Sequence, residues 1–328
     1  MSDDHRAAGD DRRPRLAHDP AVPRTVFVAP NRADRPIDQF GAARHRCPFC
    51  AGQESLTPEE VCRRPHGAPG SGWTARIIPN RYPVVWEATA PPAAGPTARA
   101  DTAHGVHEVL VESPRHDTCV VAIDPQAWRE SWILCRERLA DLATRGDLAW
   151  TTVFKNAGPA AGASLEHVHS QLVGLGFVPP VAEAEFVLAR RGTAPFAALI
   201  ESARHERRIV AECGALVALV PPAPRQPYET WILPLDARPH FHADAAAATI
   251  VADLTRRVIG RLLALEPGAN YNWWLHQAPL REAIPPGWHW HLEILPRLSG
   301  FAGFELATGC HITTAGAVES ARRLRTDT

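Results

Sequence analysis

The sequence predicts an α/β fold of the α+β kind, built twice: two halves, each an antiparallel sheet with flanking helices on one side. Three observations carry this. A strand with alternating histidines, HVHSQLVGL at 167–175, has a counterpart in HWHLEILPRL at 289–298. Each follows the same series of strand, long helix and strand. In the first half this is HEVLVES, residues 125–142 and WTTVFKNAG; in the second, ETWILPL, residues 246–265 and NYNWWLHQAP. The length of 328 residues exceeds one ordinary domain and suits a duplicated unit. The expected divisions are a charged, turn-rich, disordered tail over 1–20, a first half over 21–180 and a second half over 181–328.

The elements read in order as follows. RTVFVAP has the β-branched content of a strand and runs into NRADRP, an arginine-bearing turn. CPFCAGQE comes next, then TPEE, read as a helix start. WTARIIPNRYPVV is a strand ending at Pro79–Asn80, and EATAPPAAGPTARADTA a Pro/Ala-rich surface loop. From Pro125 onward, Trp128, Trp132, Cys135, Leu139 and Leu142 recur at three- and four-residue steps, which makes one apolar helix face. Core packing is the expected role of those tryptophans. ALVALVPP opens the strands of the second half.

Composition narrows the function classes. Apolar residues make up 45% and charged residues 22%, ordinary for a chain that buries a real core. The net charge of −1 supplies no global field for nucleic acid or an acidic membrane, so phosphate recognition must be local. No apolar stretch is long enough to span a bilayer, and the first twenty residues lack the apolar core of a signal peptide. Seven scattered cysteines, an odd number, suit a reducing cytoplasm better than a disulfide scaffold. The cytoplasm is the expected compartment.

Two segments can carry chemistry. Cys47-Pro-Phe-Cys50 has the spacing of a tetrahedral zinc site, with histidines required to complete the shell; His116 and His167 stand beside predicted strand ends. The rival reading, a redox pair, lacks the surrounding βαβ pattern. The second segment, GPAAGASLEHVHSQ, joins a small-residue loop to the alternating histidines. Gly158 and Gly162 allow close approach of the backbone to an anion, and Ser164 and Gln171 can donate to phosphate oxygens. On a strand His167 and His169 share one face, so one can bind metal while the other meets a phosphate. A neutral imidazole attacks phosphorus well, and the phosphoramidate it forms passes the group on.

Together CPFCAGQE, ESPRH, KNAGPAAGAS, HVHSQ, PYETWILP and GFELATGCHI resemble the galactose-1-phosphate uridylyltransferase family of the histidine-triad superfamily, over about residues 19–325. The GAS-x-x-H-x-H-S-Q form and the GFEL-x-TGC tail look closer to a divergent branch that includes ADP-glucose phosphorylases. The resemblance implies a duplicated histidine-triad-like fold and a zinc held by Cys47, Cys50, His116 and His167. It implies His169 as nucleophile, with Gln171 and Ser164 on the α-phosphate. Arg32 and Arg35 match arginines that reach phosphates, with plain surface charge as the competing reading. Arg76 and Asn80 match the nucleoside lining, and Asn156 the loop beneath it. Glu185, His276, His289 and His291 match the place of a second metal, iron or zinc, that some members hold. Glu305 and His311 fall on the sugar side. Val168 replaces the usual proline between the active-strand histidines, and His311 replaces a glutamine of galactose-specific members.

The implied function is transfer of a nucleoside monophosphate, UMP in the first reading, between a nucleotide sugar and a hexose 1-phosphate, with a homodimer as one expected assembly. One alternative is phosphorolysis of an ADP-sugar by inorganic phosphate. Others are a hydrolase and a nucleotide-binding protein that keeps zinc for structure; the latter has no need of the nucleophile.

Overall fold

The computed structural model describes residues 13–18, 24–37, 46–67, 72–87, 101–192 and 195–325. In chain order its strands are β1 Arg15–His18, β2 Thr25–Val28, β3 Cys62–Arg64, β4 Ala75–Pro79, β5 Asp101–Thr102, β6 Gly105–Val111, β7 Trp150–Ala157, β8 His169–Leu175, β9 Ile209–Cys213, β10 Leu216–Leu219, β11 Thr230–Pro234, β12 Tyr271–His276 and β13 His291–Pro296. The α-helices are α1 Pro125–Thr144, α2 Pro180–Arg190, α3 Pro195–His205, α4 Ala247–Leu265, α5 Gly303–Thr308 and α6 Ala317–Arg325.

The duplication is legible in the strand order, β3-β4-β6-β8-β7-β12-β13-β11-β10-β9. Read outward from the central pair, each half places its strands in the same sequence, so the halves are related by a pseudo-two-fold axis between β7 and β12. Their two sheets are joined edge to edge: β7 and β12 pair antiparallel with Asn272 opposite Asn156 and Trp273 opposite Lys155. The join leaves neither strand as an exposed edge.

Helices α1 and α4 pack across the back of this sheet. Asp124 caps α1, its carboxylate accepting from the backbone N–H groups of Gln126 and Ala127 at 3.0 and 3.1 Å, and Pro125 follows at the first helical position. All five residues of the expected apolar face are buried. Trp132 stacks on Trp273 with centroids 5.1 Å apart, and the Trp128 indole N–H donates to the Ala252 carbonyl at 2.9 Å. Burial of each such side chain contributes about 1.5–3 kcal/mol, so this layer holds the two halves together.

Strand alternation then divides the residues around β8. Val168, Leu172, Leu110 and Ile77 enter the rear core, while Val109 and Ile78 pack with Phe49 on the front. In the second half α2 and α3 cover that front face as well, with Phe186, Phe196 and Ile200 against Val217, Leu219 and Leu233. Helices on one side only, as expected, therefore describes the first half alone. An open front face remains over β4, β6 and β8.

Two local expectations need correction. Arg15–His18 is no part of a disordered tail: it forms β1, paired with β2 so that Leu16 faces Phe27, because Leu16 is buried in a small cluster with Val85, Trp150 and Val173. With β5 these strands make a separate three-stranded sheet. Residues 1–12 and 19–20 of that tail, and 88–100 of the Pro/Ala-rich loop, lie outside the described residues. TPEE starts no helix. The helical turn nearby is the 3-10 turn Glu54–Leu56, where Glu54 takes the Trp73 indole N–H at 2.8 Å, while Glu60 of TPEE makes a local pair with Arg63.

Candidate active site and metal centres

Cys47, Cys50, His116 and His167 converge, with their ligand atoms all within 4.8 Å of one another. The Cys47–Cys50 turn closes with a Cys50 N–H to Cys47 carbonyl bond of 3.2 Å, and Ala51 N–H ties it to the Pro114 carbonyl at 2.8 Å. Sulfur-to-Nδ1 distances are 3.5 Å for Cys47 to His167, 3.6 Å for Cys50 to His116 and 3.7 Å for Cys50 to His167. A tetrahedral zinc, at about 2.3 Å from sulfur and 2.0 Å from nitrogen, sets that separation near 3.5 Å. His167 donates its Nε2–H to the Ser113 carbonyl at 2.8 Å, leaving Nδ1 as the ligand nitrogen. Burial, and then the neighbouring Cys47, push the Cys50 thiol up to about 11, so two thiolates side by side require a cation between them. The four residues fit such an ion.

The same turn builds the wall of the adjacent cleft. Phe49, between the two cysteines, sets its ring edge against both His167 and His169, with centroids 5.8 and 5.4 Å away. A cleft of about 130 Å³, open to solvent, is lined by Phe49, Leu56, Pro58, Ile78, Tyr82 and Val109 as its apolar surfaces. Arg35, Asn80, Ser164, His169 and Gln171 supply its polar groups. This balance of apolar wall and few convergent polar groups suits a small-molecule site.

His169 sits on the first residue of β8. Its Nδ1–H donates to the His167 carbonyl at 2.8 Å, which leaves the Nε2 lone pair available. Burial, then the Lys155 ammonium, lower its pKa to about 3, so the ring is neutral at pH 7 and ready as a nucleophile. Behind the strand, Lys155 pairs with buried Glu112 and donates to the His169 carbonyl at 2.8 Å; Ser170 donates to the same carboxylate. Sequence reading missed this pair. The available signal was a charged residue inside each of two apolar strand segments, which in a buried strand implies a partner.

Other expected contacts are rearranged. Arg32 Nη1 donates to the Tyr82 carbonyl at 2.7 Å and does not line the cleft; it latches the loop that does. Arg76, 1% exposed, bonds Thr57 Oγ at 3.1 Å and the Pro48 carbonyl at 3.3 Å, bracing the wall from behind. Asn156 accepts from Asn272 Nδ2 at 2.8 Å across the central strand pair, away from the cleft. Gly158, at φ +84°, abuts the Asn270 side chain so closely that a Cβ would meet it at 2.4 Å; it shapes the turn rather than the cleft lining. Glu305 receives the Ala302 N–H at 2.9 Å as a cap of α5, and exposed His311 packs on Phe301. Neither lines the cleft.

The second half repeats the site's skeleton. His289 donates to the Pro234 carbonyl at 2.8 Å through Nδ1–H, where His167 uses Nε2–H toward Ser113, and His291 Nδ1 meets the His289 carbonyl at 3.3 Å, as His169 meets that of His167. The position equivalent to Gln171 is Glu293. A second four-residue group follows: Glu185, His276, His291 and Glu293. His289 is not in it, and Glu293 is. His276 Nδ1 lies 2.9 Å from Glu185, and Glu293 lies 3.6 Å from both imidazoles. Buried Glu185 Oε2 and His291 Nε2 have no hydrogen-bond partner although only 3.7 Å apart, which an N₂O₂ metal ion would explain.

Fold and site define a duplicated nucleotidyltransferase framework, and the comparisons give its class. Residues 76–179 match the family model described as galactose-1-phosphate uridyl transferase, N-terminal domain. The chain is 32% identical to ADP-glucose phosphorylase of Arabidopsis thaliana over 95% of its own length and 92% of the relative's. It is 27% identical to galactose-1-phosphate uridylyltransferase of Thermotoga maritima, over 94% and 97%. The chain belongs to the galactose-1-phosphate uridylyltransferase family. A crystal structure of an Arabidopsis thaliana ADP-glucose phosphorylase with bound ADP-glucose superposes with a TM-score of 0.78 at 31% identity, covering 96% of this chain and 99% of that one.

Proposed function

We propose that this chain transfers a nucleoside monophosphate from a nucleotide sugar by way of a covalent nucleotidyl-His169. The observation that carries the reading is the His169 ring: neutral, pinned through Nδ1, and lining the cleft beside Gln171, Ser164 and Arg35. Nε2 attacks the α-phosphorus; the N–P bond forms as the bond to the sugar phosphate breaks, releasing a sugar 1-phosphate. An acceptor oxygen then attacks the same phosphorus and the N–P bond breaks. No base is needed to activate the ring. Gln171 and Ser164 hold the α-phosphate oxygens as charge grows on them, and Arg35 offsets the charge of the leaving or entering phosphate.

The relatives bear on donor and acceptor. ADP-glucose with inorganic phosphate is the first reading, supported by the Arabidopsis relative and its ADP-glucose complex. UMP transfer to a hexose 1-phosphate, first in the sequence reading, is favoured by the Thermotoga relative. Initial rates with ADP-glucose or UDP-glucose against phosphate or hexose 1-phosphates separate them. Phosphorolysis of ADP-glucose with parallel double-reciprocal lines is expected. Faster turnover of UDP-glucose with a hexose 1-phosphate would replace the first reading by the second, and intersecting lines would speak against a covalent carrier.

Zinc is the ion proposed for the Cys47 group, from its S₂N₂ donors, and it supplies folding free energy there. Iron or zinc suits the Glu185 group. Protein purified without chelator should carry tightly held zinc, and Cys50→Ser should lower both zinc content and thermal midpoint. Unchanged stability of that variant in zinc-free protein would contradict the assignment.

Glu305 and His311 lie beside exposed Phe304, Leu306 and Ile312, and we read this apolar tail as the contact with a second copy of the chain in a homodimer. No described helix is long and apolar enough to cross a membrane. Thiolate ligands suit the reducing cytoplasm.

A further inference from the structure

We propose that His107 is a positioning residue that fixes which end of the Gln171 amide faces the nucleotide. It stands on β6, the strand next to β8, and its ring is buried on the front face. The Val84 backbone N–H donates to His107 Nδ1 at 3.1 Å, so Nδ1 carries the lone pair and the ring's proton is on Nε2. That Nε2–H then donates to Gln171 Oε1 at 3.0 Å.

Asn80 repeats the constraint independently. The Tyr82 backbone N–H donates to Asn80 Oδ1 at 2.8 Å, which turns Nδ2 toward Gln171 Oε1, 3.4 Å away. Asn80 Nδ2 and His107 Nε2 stand 3.0 Å apart, both on the Oε1 side of the amide. With Oε1 occupied twice, the Nε2 hydrogens of Gln171 are the end left for the cleft, where a phosphate oxygen needs a donor. A glutamine free to flip would present its carbonyl to that oxygen part of the time, and would repel it. The loop doing this is itself held by the arginine turn, through Arg32 to the Tyr82 carbonyl and Asn31 Nδ2 to the Pro83 carbonyl at 3.0 Å. Burial keeps the His107 ring neutral, its pKa lowered to about 4, so this tautomer persists at pH 7.

The inference rests on the reading that Gln171 contacts the α-phosphate. Its test is a double-mutant cycle on the full chain, with ADP-glucose and UDP-glucose each used as donor. His107→Phe keeps the ring's bulk and removes the donor; it should lower kcat by about 10- to 100-fold, a loss below that of deleting a transition-state donor outright, with KM moved much less. In a Gln171→Ala background the same substitution should cost less than about threefold, because nothing remains to be oriented. His107→Gln can accept from Val84 and donate to Gln171, and should keep most of the activity that His107→Phe loses. An equal loss in both backgrounds, or equal losses for His107→Phe and His107→Gln, would overturn the proposal. If His107→Phe fails to fold, His107→Gln against His107→Met carries the same comparison. Full activity of His169→Ala would instead overturn the nucleotidyl-histidine reading, whatever the cycle gives.

Discussion

His169→Gly is expected to lose overall exchange by a factor on the order of 10⁶, to the floor of the assay, the scale seen when a covalent nucleophile is removed. The loss exceeds that of any neighbour. Gln171 and Ser164 strengthen bonds that other groups also make, so Gln171→Ala should cost on the order of 10²–10³. Removing the carrier instead leaves no atom to hold the nucleotide between the two half-reactions. The vacated volume beside Phe49 can admit free imidazole, and added imidazole should restore one half-reaction in part. Because the His169 Nδ1–H bond goes to a backbone carbonyl, the neighbouring fold is little disturbed, and zinc content should stay normal. Exchange at the wild-type rate in this variant would remove His169 from the mechanism.

Lys155→Met should be the most damaging single change to stability, by about 3–5 kcal/mol, because it strands a charge. Glu112 is 1% exposed and accepts from Lys155 and Ser170, while Lys155 also donates to the His169 carbonyl. Methionine fills the stem's volume but leaves the carboxylate buried without its cation. Lys155→Met combined with Glu112→Leu removes both charges and should regain much of the loss, since a buried ion pair replaced by apolar side chains is often close to neutral. Denaturant unfolding of the three proteins reads this directly. A single variant as stable as the wild type would mean the pair carries no such penalty. Activity should fall further than stability explains, because the carbonyl held by Lys155 belongs to His169, the proposed nucleophile, and small misplacements at a reacting atom cost heavily.

What could be read from the sequence was whatever one segment contains whole. The H-x-H strands, the C-x-x-C turn and the apolar face of α1 each show their pattern within about twenty residues, and each appears where expected. Contacts between segments were less legible. Glu112 and Lys155 are single charges in two apolar segments far apart in sequence, and their pairing shows only once β6, β8 and β7 lie side by side. The resemblance sets Arg32 at the phosphates and Arg76 in the nucleoside lining; in the fold they grip carbonyls that brace the same cleft. The resemblance groups His289 with Glu185, His276 and His291, yet its Nδ1–H is bonded to the Pro234 carbonyl and Glu293 stands in the cluster. Aligning HWHLE on HVHSQ sets Glu293 against Gln171, which was the available clue to the second group. His107 passed as a plain strand residue, since nothing in HEVLVES reveals that its ring nitrogens meet Val84 and Gln171.

The most direct test of the central claim is the mass of the intact protein after brief incubation with ADP-glucose or UDP-glucose, acceptor withheld, followed by peptide mapping. One nucleotidyl group per chain is expected, adenylyl if the first donor reading holds and uridylyl if the second does. The group should map to His169, be discharged by phosphate or a sugar 1-phosphate, and be absent from His169→Gly. No mass gain with either donor while steady-state turnover proceeds, or a gain that maps elsewhere and survives in His169→Gly, would contradict the covalent nucleotidyl-histidine.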